Sequence, residues 1–318
     1  QTIQLKGMKL HSCIACGSQD LDLTPTLRPS VQLIQCRHCG MSHTFPRLDP
    51  KELEQHYSET YYGPENVKFT EGFERIVAWN TARRARSIHH LLRPHSRILE
   101  IGCGRGLLLR HLSQLGHECH GTERSELAAQ RARKTVGLRI YTLPLEQCGI
   151  EPHSFDLVIL WHVLEHLEEP EHTLTVVHQL LKPGGKLLLE VPNYSSCQSR
   201  YSGKHWFHLD LDRHLYHFSQ EGLNALLAKT RFQVQKQSTF SWEQCPYGAL
   251  QSSLNLLGFP TEQFYRLLKR EISLPWGEKA FQFLLAGLLA GPAAGFSLLE
   301  AGMGRGGVLR IVAESQPA

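Results

Sequence analysis

Arg97-Ile-Leu-Glu-Ile-Gly-Cys-Gly-Arg-Gly106 is a short β-rich run that ends in three glycines at alternate positions, Gly102, Gly104 and Gly106. Helical spacing follows through Leu108, Leu112 and Leu115, and Gly116 stops it. Strand, glycine turn and helix in that order are how an open α/β sheet builds a nucleotide site. Glycine clears Cβ atoms from the path of a ligand and permits positive φ in the turn. The spacing G-x-G-x-G is tighter than the dinucleotide pattern G-x-G-x-x-G, and an acid, Glu100, stands two residues before the first glycine. The pattern predicts an α/β fold around a doubly wound, mostly parallel sheet.

Downstream, Glu118 to Thr122 reads as the second strand and ends at Glu123, 21 residues past Gly102. A carboxylate there can accept hydrogen bonds from both hydroxyls of a ribose. Ser125 is a good N-cap for a helix to Thr135, and Leu138 to Leu143 reads as a third strand. Ser154 to Trp161 is almost wholly apolar, as a central strand covered on both faces should be. It opens into His162-Val-Leu-Glu165-His166. Ligands of open parallel sheets sit at the carboxyl ends of strands, so these residues are placed for chemistry. A histidine that titrates near neutrality can take the proton of a hydroxyl, which makes His166 and His162 candidate bases. A helix from Glu171 to Leu181 leads to Lys182-Pro-Gly-Gly185, read as a turn, and then to the strand Leu187 to Val191. The stretch from His205 to Ser219 is rich in aromatics and histidines. His214 and His217 share one face of a turn there and are further candidates for base or substrate contact. Ser219 caps a helix from Gln220 to Lys229, Phe232 to Phe240 reads as a strand, and Gly307 to Ala313 supplies the last one.

Glu100-Ile-Gly-Cys-Gly-Arg-Gly106 resembles motif I of the class I S-adenosylmethionine (SAM) methyltransferases. Phe155-Asp156-Leu-Val158 resembles the strand of their motif II, and Lys182-Pro-Gly-Gly185 their motif III. The resemblance runs over roughly residues 97 to 240. It implies a Rossmann-like fold and a SAM site made of Glu100, Gly102, Gly104, Gly106, Glu123, Leu143, Leu145 and Trp161, with Leu143 and Leu145 beside the adenine. It also implies methyl transfer, to oxygen or carbon, on a small-molecule, sugar or lipid-linked acceptor held in line with the donor. The Val163-Leu-Glu-His166 segment is similar to that of quinone-precursor O-methyltransferases and sugar methyltransferases. Some relatives hold a divalent metal through such a Glu-His pair. Related chains often read P-R-H-L where this one has Asp212-Arg-His-Leu215, so the turn is expected to differ. The N/D-P-P-Y sequence of base N-methyltransferases gives way to Leu160-Trp-His162, which disfavours amino-base methylation.

Ahead of this core, residues 8–48 hold Cys13-Ile-Ala-Cys16 and Cys36-Arg-His-Cys39, with 19 residues between the pairs and each pair followed by glycine. Two such knuckles supply the four tetrahedral sulfurs that Zn²⁺ prefers. With short strands between them, Cys13, Cys16, Cys36 and Cys39 predict a zinc ribbon with a closed, structural site. A redox dithiol would need one C-x-x-C in a thioredoxin-like setting, which is not the pattern here. The layout of a C-x-x-C module before such a core resembles that of sugar C-methyltransferases. Residues 49–96 read as a helical connector or lid, with a helix after Asp49-Pro50, lid candidates Tyr61 and Tyr62, and a helix from Glu71 to Leu92. Arg83, Arg84 and Arg86 on the latter read as a solvated face, phosphate contact being the alternative. The core domain is expected over 97–318 with an insertion at 241–306.

That insertion contains 19 residues, Phe281 to Leu299, without a charge. Gly291-Pro292 interrupts the run and both flanks return to the sheet. Two apolar helices are therefore expected, forming a lid, a dimer surface or a peripheral membrane patch rather than a span. Net charge is +4 in 318 residues, too weak to argue for nucleic acid. Nine cysteines, an odd count, and no signal-peptide pattern favour reduced thiols in the cytoplasm. Three other readings stay open: an RNA methyltransferase that uses the ribbon and Arg131, Arg133, Lys134 and Arg139, a NAD-dependent enzyme, and a SAM-binding protein without activity.

Overall fold

A computed structural model describes residues 12–28, 31–46, 69, 71–134 and 137–317. The expected helix after Asp49 and the lid candidates Tyr61 and Tyr62 lie outside the described residues. The ribbon supplies β1 (Leu21–Leu23), β2 (Gln32–Cys36) and β3 (Ser42–Phe45), and the connector supplies α1 (Glu71–His89). The core then runs β4 (Arg97–Ile101), α2 (Leu107–Gln114), β5 (Glu118–Thr122), α3 (Glu126–Arg133), β6 (Leu138–Tyr141), β7 (Phe155–Trp161), α4 (Pro170–Leu180) and β8 (Leu181–Pro192). After it come α5 (Cys197–Ser202), β9 (Tyr216–His217), α6 (Gln220–Lys229), β10 (Phe232–Ser238), α7 (Cys245–Leu256), α8 (Gln263–Leu268), α9 (Trp276–Gly302) and β11 (Val308–Ser315).

Seven strands form the main sheet in the order β10-β11-β8-β7-β4-β5-β6. Pairings from β8 through β6 are parallel, and β11 runs antiparallel to both β8 and β10. The chain leaves β4 toward β5 and β6, then crosses to β7 on the other side. The carboxyl ends of β4 and β7 therefore flank the switch point where such sheets bind ligands. One apolar layer, with Leu99, Ile101, Val158, Leu160 and Leu226, lies between the sheet and α4 and α6. The other, with Ile98, Leu157, Ile159, Leu109 and Ile88, lies under α1 and α2.

The ribbon is continuous with this body. Its Cys13, Ala15, Cys36, Cys39 and Met41 belong to the same apolar layer as Leu99 and Phe218. Its sheet, β1-β2-β3, takes β9 of the core as a fourth strand, with Ser42 opposite His217 and His43 opposite Tyr216. Ser219 caps α6 by accepting the Gly222 N–H at 2.9 Å and donates its own proton to the Cys39 carbonyl.

Two expectations need correction. Lys182-Pro-Gly-Gly185 is not a free turn before a strand but part of β8. Partners of β7 jump from Phe155 opposite Leu181 to Leu157 opposite Lys186, so the segment bulges out of a continuing ladder. The insertion likewise holds one apolar helix, not two. α9 passes through Pro292 unbroken, although proline removes a helical hydrogen bond and crowds the preceding turn. Gln282, Ala286, Ala293, Ser297 and Glu300 are buried on both sides of that proline, and α9 packs along α7, so one seam holds both halves in line.

The Gly222 position tests the docking of the ribbon. A Cβ added there would stand 2.7 Å from Met41 Cβ and 2.9 Å from Ser219 Oγ. Gly222→Ala should cost about 1–3 kcal/mol through overpacking, measured by urea unfolding of the intact chain.

Candidate active site

The glycine turn sits at the carboxyl end of β4. Gly102, Gly104 and Gly106 all have positive φ, and a Cβ on Gly102 would fall 2.7 Å from Val163 Cγ2. Glycine at this position therefore lets the turn close on the His162–His166 segment. Glu123 holds the turn by accepting the Gly104 N–H at 2.9 Å and the Ser125 N–H at 2.8 Å. Arg105 reaches back to α1, with Nη2 3.0 Å from Glu74 Oε2. Glu100 is only 6% exposed and its Oε2 has no hydrogen-bond partner among the described residues. Burial, reinforced by the charge of Glu123 and opposed by Arg84, lifts its carboxyl to about 8. Such an orphaned carboxylate fits a cationic group of a bound ligand. Leu143 is exposed, and Leu145 is half-buried against the core.

Trp161 ends β7 between two guanidinium groups. Arg84 lies 3.8 Å from its ring centre and Arg310 4.8 Å. Arg84 is thus neither solvated nor set to meet phosphate, as it is largely buried and paired with Glu243. Arg310, in β11, stands opposite Glu190 in β8, and its Nε donates to Glu190 Oε2 at 2.7 Å. The other oxygen of Glu190 meets His162 Nε2 at 3.0 Å, while His162 Nδ1 meets Glu165 Oε1 at 3.2 Å. Burial opposes a charge on His162, but the two carboxylates outweigh it and raise the imidazolium to about 10. The two carboxylates thus favour the charged form of His162, which weighs against it as a base. It adopts φ 52°, a backbone shape that only a closely held non-glycine residue keeps.

His166 and His214 are differently arranged. His166 Nδ1 donates to the Arg213 carbonyl at 3.0 Å, and His214 Nδ1 donates to the His208 carbonyl at 3.0 Å. A carbonyl can only accept, so each imidazole carries its proton on Nδ1 and presents Nε2 as the lone-pair nitrogen. Their rings meet edge to face with centres 4.7 Å apart. Burial, with His166 and His217 nearby, holds His214 well below the usual histidine range. Glu165 is 1% exposed with Oε2 unpartnered among the described residues. One donor atom from each of Glu165, His166 and His214 lies within 4.8 Å of the others. His217 is engaged on the ribbon side instead. Its Nε2 lies 3.0 Å from Thr44 Oγ1, whose single proton goes to the His214 carbonyl at 2.7 Å, so His217 must donate there. Burial lowers His217 to about 3.

Sequence reasoning missed Glu190, Arg310, His208 and Thr44. The first two had a readable signal, each being the one charge in an apolar run, Leu187–Val191 and Val308–Ala313. His208, buried and stacked over His162 at 6.5 Å, had none, nor did Thr44. At the ribbon, Cys13 Sγ is 3.7 Å from Cys39 Sγ and Cys16 Sγ 3.6 Å from Cys36 Sγ. Four sulfurs at about 2.3 Å from one ion in a tetrahedron would stand about 3.8 Å apart, so the set fits zinc.

His162→Ala should cost about 3–5 kcal/mol, because it strands the buried Glu165 and leaves Glu190 with Arg310 alone. The sign of the pH effect follows from the raised imidazolium. Its contribution is full below 6.5 and is lost as pH climbs toward 10. Scanning calorimetry should show the alanine variant losing less stability than the parent between those values.

The description "Methyltransferase domain" matches residues 74–237. The ubiquinone biosynthesis O-methyltransferase of Azoarcus sp. (strain BH72) is 35% identical over 103 residues, 30% of this chain and 44% of that protein. That of Roseobacter denitrificans is 36% identical over 96 residues, 28% and 38% of the two chains. This chain thus spans under half the length of these relatives. Among solved structures, phosphoethanolamine N-methyltransferase 2 of Haemonchus contortus in complex with SAM superposes with a TM-score of 0.55 at 16% identity, covering 87% of this chain and 62% of that one. A chain of the Haloferax volcanii complex between the Trm112 methyltransferase activator and a methyltransferase gives 0.52 at 17% identity, covering 81% and 97%. These likenesses carry the fold, and with the family match over more than half its length the chain belongs to the methyltransferase-domain family, with the class I SAM-dependent methyltransferase fold.

Proposed function

We propose that the chain transfers the methyl group of SAM to a hydroxyl oxygen of a small-molecule acceptor, with His166 as the base. The observation that carries this reading is the His166 tautomer. Nδ1 donates to a backbone carbonyl, so in the neutral ring Nε2 is the basic nitrogen, at the strand ends where the glycine turn lies. SAM supplies an electrophilic methyl on a sulfonium. With SAM bound, His166 would take the hydroxyl proton as the acceptor oxygen took that methyl, the carbon–sulfur electron pair remaining on sulfur. Glu100 suits the ammonium of the donor, and Glu123, which orders the turn, suits its ribose. The names of the ubiquinone-pathway relatives support oxygen as the methylated atom. A carbon acceptor, as in the sugar enzymes, is separated from it by the NMR spectrum of the product. The Cys13, Cys16, Cys36 and Cys39 set is read as a structural Zn²⁺ site, closed to substrate and suited to a reducing compartment such as the cytoplasm.

A second reading rests on the convergence of Glu165, His166 and His214, which would hold a divalent cation against the acceptor oxygens. Magnesium or manganese added back after chelation, with zinc content followed in parallel, separates this from simple base catalysis. An RNA acceptor would instead show a salt-sensitive gel shift.

Calorimetry with SAM is the first test, followed by S-adenosylhomocysteine release over catechol, phenol and sugar-nucleotide acceptors. Binding without release from any acceptor would leave a SAM-binding protein, and no binding would end the proposal. Because the Glu100 carboxyl is raised to about 8, binding at pH 7 should expel a proton, seen as heat that varies with buffer. Glu100→Gln should abolish that release and weaken binding about 10- to 100-fold, the value of a charged hydrogen bond. Cys36→Ser should lose zinc by elemental analysis.

A further inference from the structure

The outer face of α9 is apolar along its length and cationic at its ends. From Ala280 to Leu299 the helix carries no charged side chain, a run of about 30 Å at 1.5 Å per residue. Phe281, Leu284, Leu288, Leu298 and Leu299 stand exposed on it, Leu284 at 63% and Leu288 at 67%. It is long and apolar enough to cross a membrane, yet little of it is buried, so it is not the core helix of a soluble protein. It does not span either. Its inner face is fixed along α7, and β11, which follows it, returns to the main sheet.

The ends specify what covers this face. At the N-terminal end stand Trp276, which is 85% exposed, with Arg270 and Lys279, offset in part by Glu278. At the other end the Arg305 carbonyl accepts the Cys197 N–H, which brings this end of the chain to the start of α5, the helix that carries Arg200, with Lys204 following it. Tyr201 of the same segment packs against Phe296 of α9 at 5.3 Å. None of these five cations has an ion-pair partner among the described residues. A second copy laid on α9 would bring cations against cations, end to like end if parallel and Arg270 and Lys279 against Arg200, Lys204 and Arg305 if antiparallel. A lipid surface with anionic headgroups offers the complement, with apolar side chains in the acyl boundary and aromatic and basic side chains at headgroup level.

We propose that α9 docks the protein on anionic membranes, lying flat in the interface. This inference is independent of the methyl-transfer reading. The test is flotation of the full chain with vesicles of phosphatidylcholine alone and of phosphatidylcholine mixed with phosphatidylglycerol. The protein should float with the mixed vesicles, about tenfold more weakly with the neutral ones, and less as salt is raised. Leu284→Glu combined with Leu288→Glu should abolish flotation, and Arg200→Glu combined with Arg305→Glu should reduce it about tenfold, with melting temperature and SAM binding unchanged in both. A parent protein that stays in the soluble fraction with the mixed vesicles overturns the proposal. So does a leucine variant that floats like the parent. Light scattering that shows a dimer abolished by the leucine changes, without flotation, assigns the face to a second copy and equally overturns it.

Discussion

One stretch of backbone, Arg213 to His217, is held from both sides, and the candidate site depends on it. Leu215 N–H donates to the Glu165 carbonyl at 2.9 Å on one edge, and its carbonyl accepts Thr44 N–H at 3.0 Å on the other. The first bond ties the segment to the turn after β7, the second to β3 of the ribbon. Thr44 adds its hydroxyl between His214 and His217. Asp212 forms a paired contact with Arg28 of the ribbon at 2.7 and 3.0 Å. The ribbon is thereby coupled to His214 and His217 through Thr44, which holds the segment that carries them.

The second constraint is electrostatic. Glu190, Glu165 and Glu100 are all nearly inaccessible to water, and uncompensated charges there would be costly. Two of them are answered from within the fold. Arg310 and His162 bracket Glu190, whose carboxyl stays below its usual range despite burial because of His162 and then Arg310. Glu165 shares His162 through Oε1. Breaking such a network is expensive, although making it contributes little net stability, so its value here is positional. It fixes the orientation of the turn that carries His166. Among the described residues Glu100, like Glu165, keeps one oxygen unanswered, and burial raises its carboxyl, which suits an incoming cation.

What the sequence made legible was local. The glycine turn, the two C-x-x-C-G knuckles, the serine caps of α3 and α6 and the apolar β7 each depend on neighbours within a few residues. The structure reproduces them because nothing tertiary overrides them. What it hid depends on register. Arg310 meets Glu190 because β11 is antiparallel to β8, and no local pattern states that pairing. Pro292 was read as a break because propensity ignores the seam along α7 that holds both halves of α9. His162 looked like a base because spacing cannot show two carboxylates, one of them 25 residues on from Glu165 at Glu190, closing around a single ring.

The same geometry bears on whether Glu165, His166 and His214 serve a proton or a metal. Both roles need what the Arg213 and His208 carbonyls enforce, an imidazole protonated at Nδ1 with its lone pair on Nε2. They differ in what they demand of Glu165. A dication draws most of its binding energy from the carboxylate, yet Glu165 already spends one oxygen on the His162 imidazolium, and that positive charge sits within contact distance of the same group. A dication would face a like charge in a medium of low dielectric, where repulsion is strong. A proton arriving on His166 faces the same repulsion, but only briefly and with one unit of charge. The charge that Glu165 and Glu190 favour on His162 therefore weighs against the divalent-cation reading.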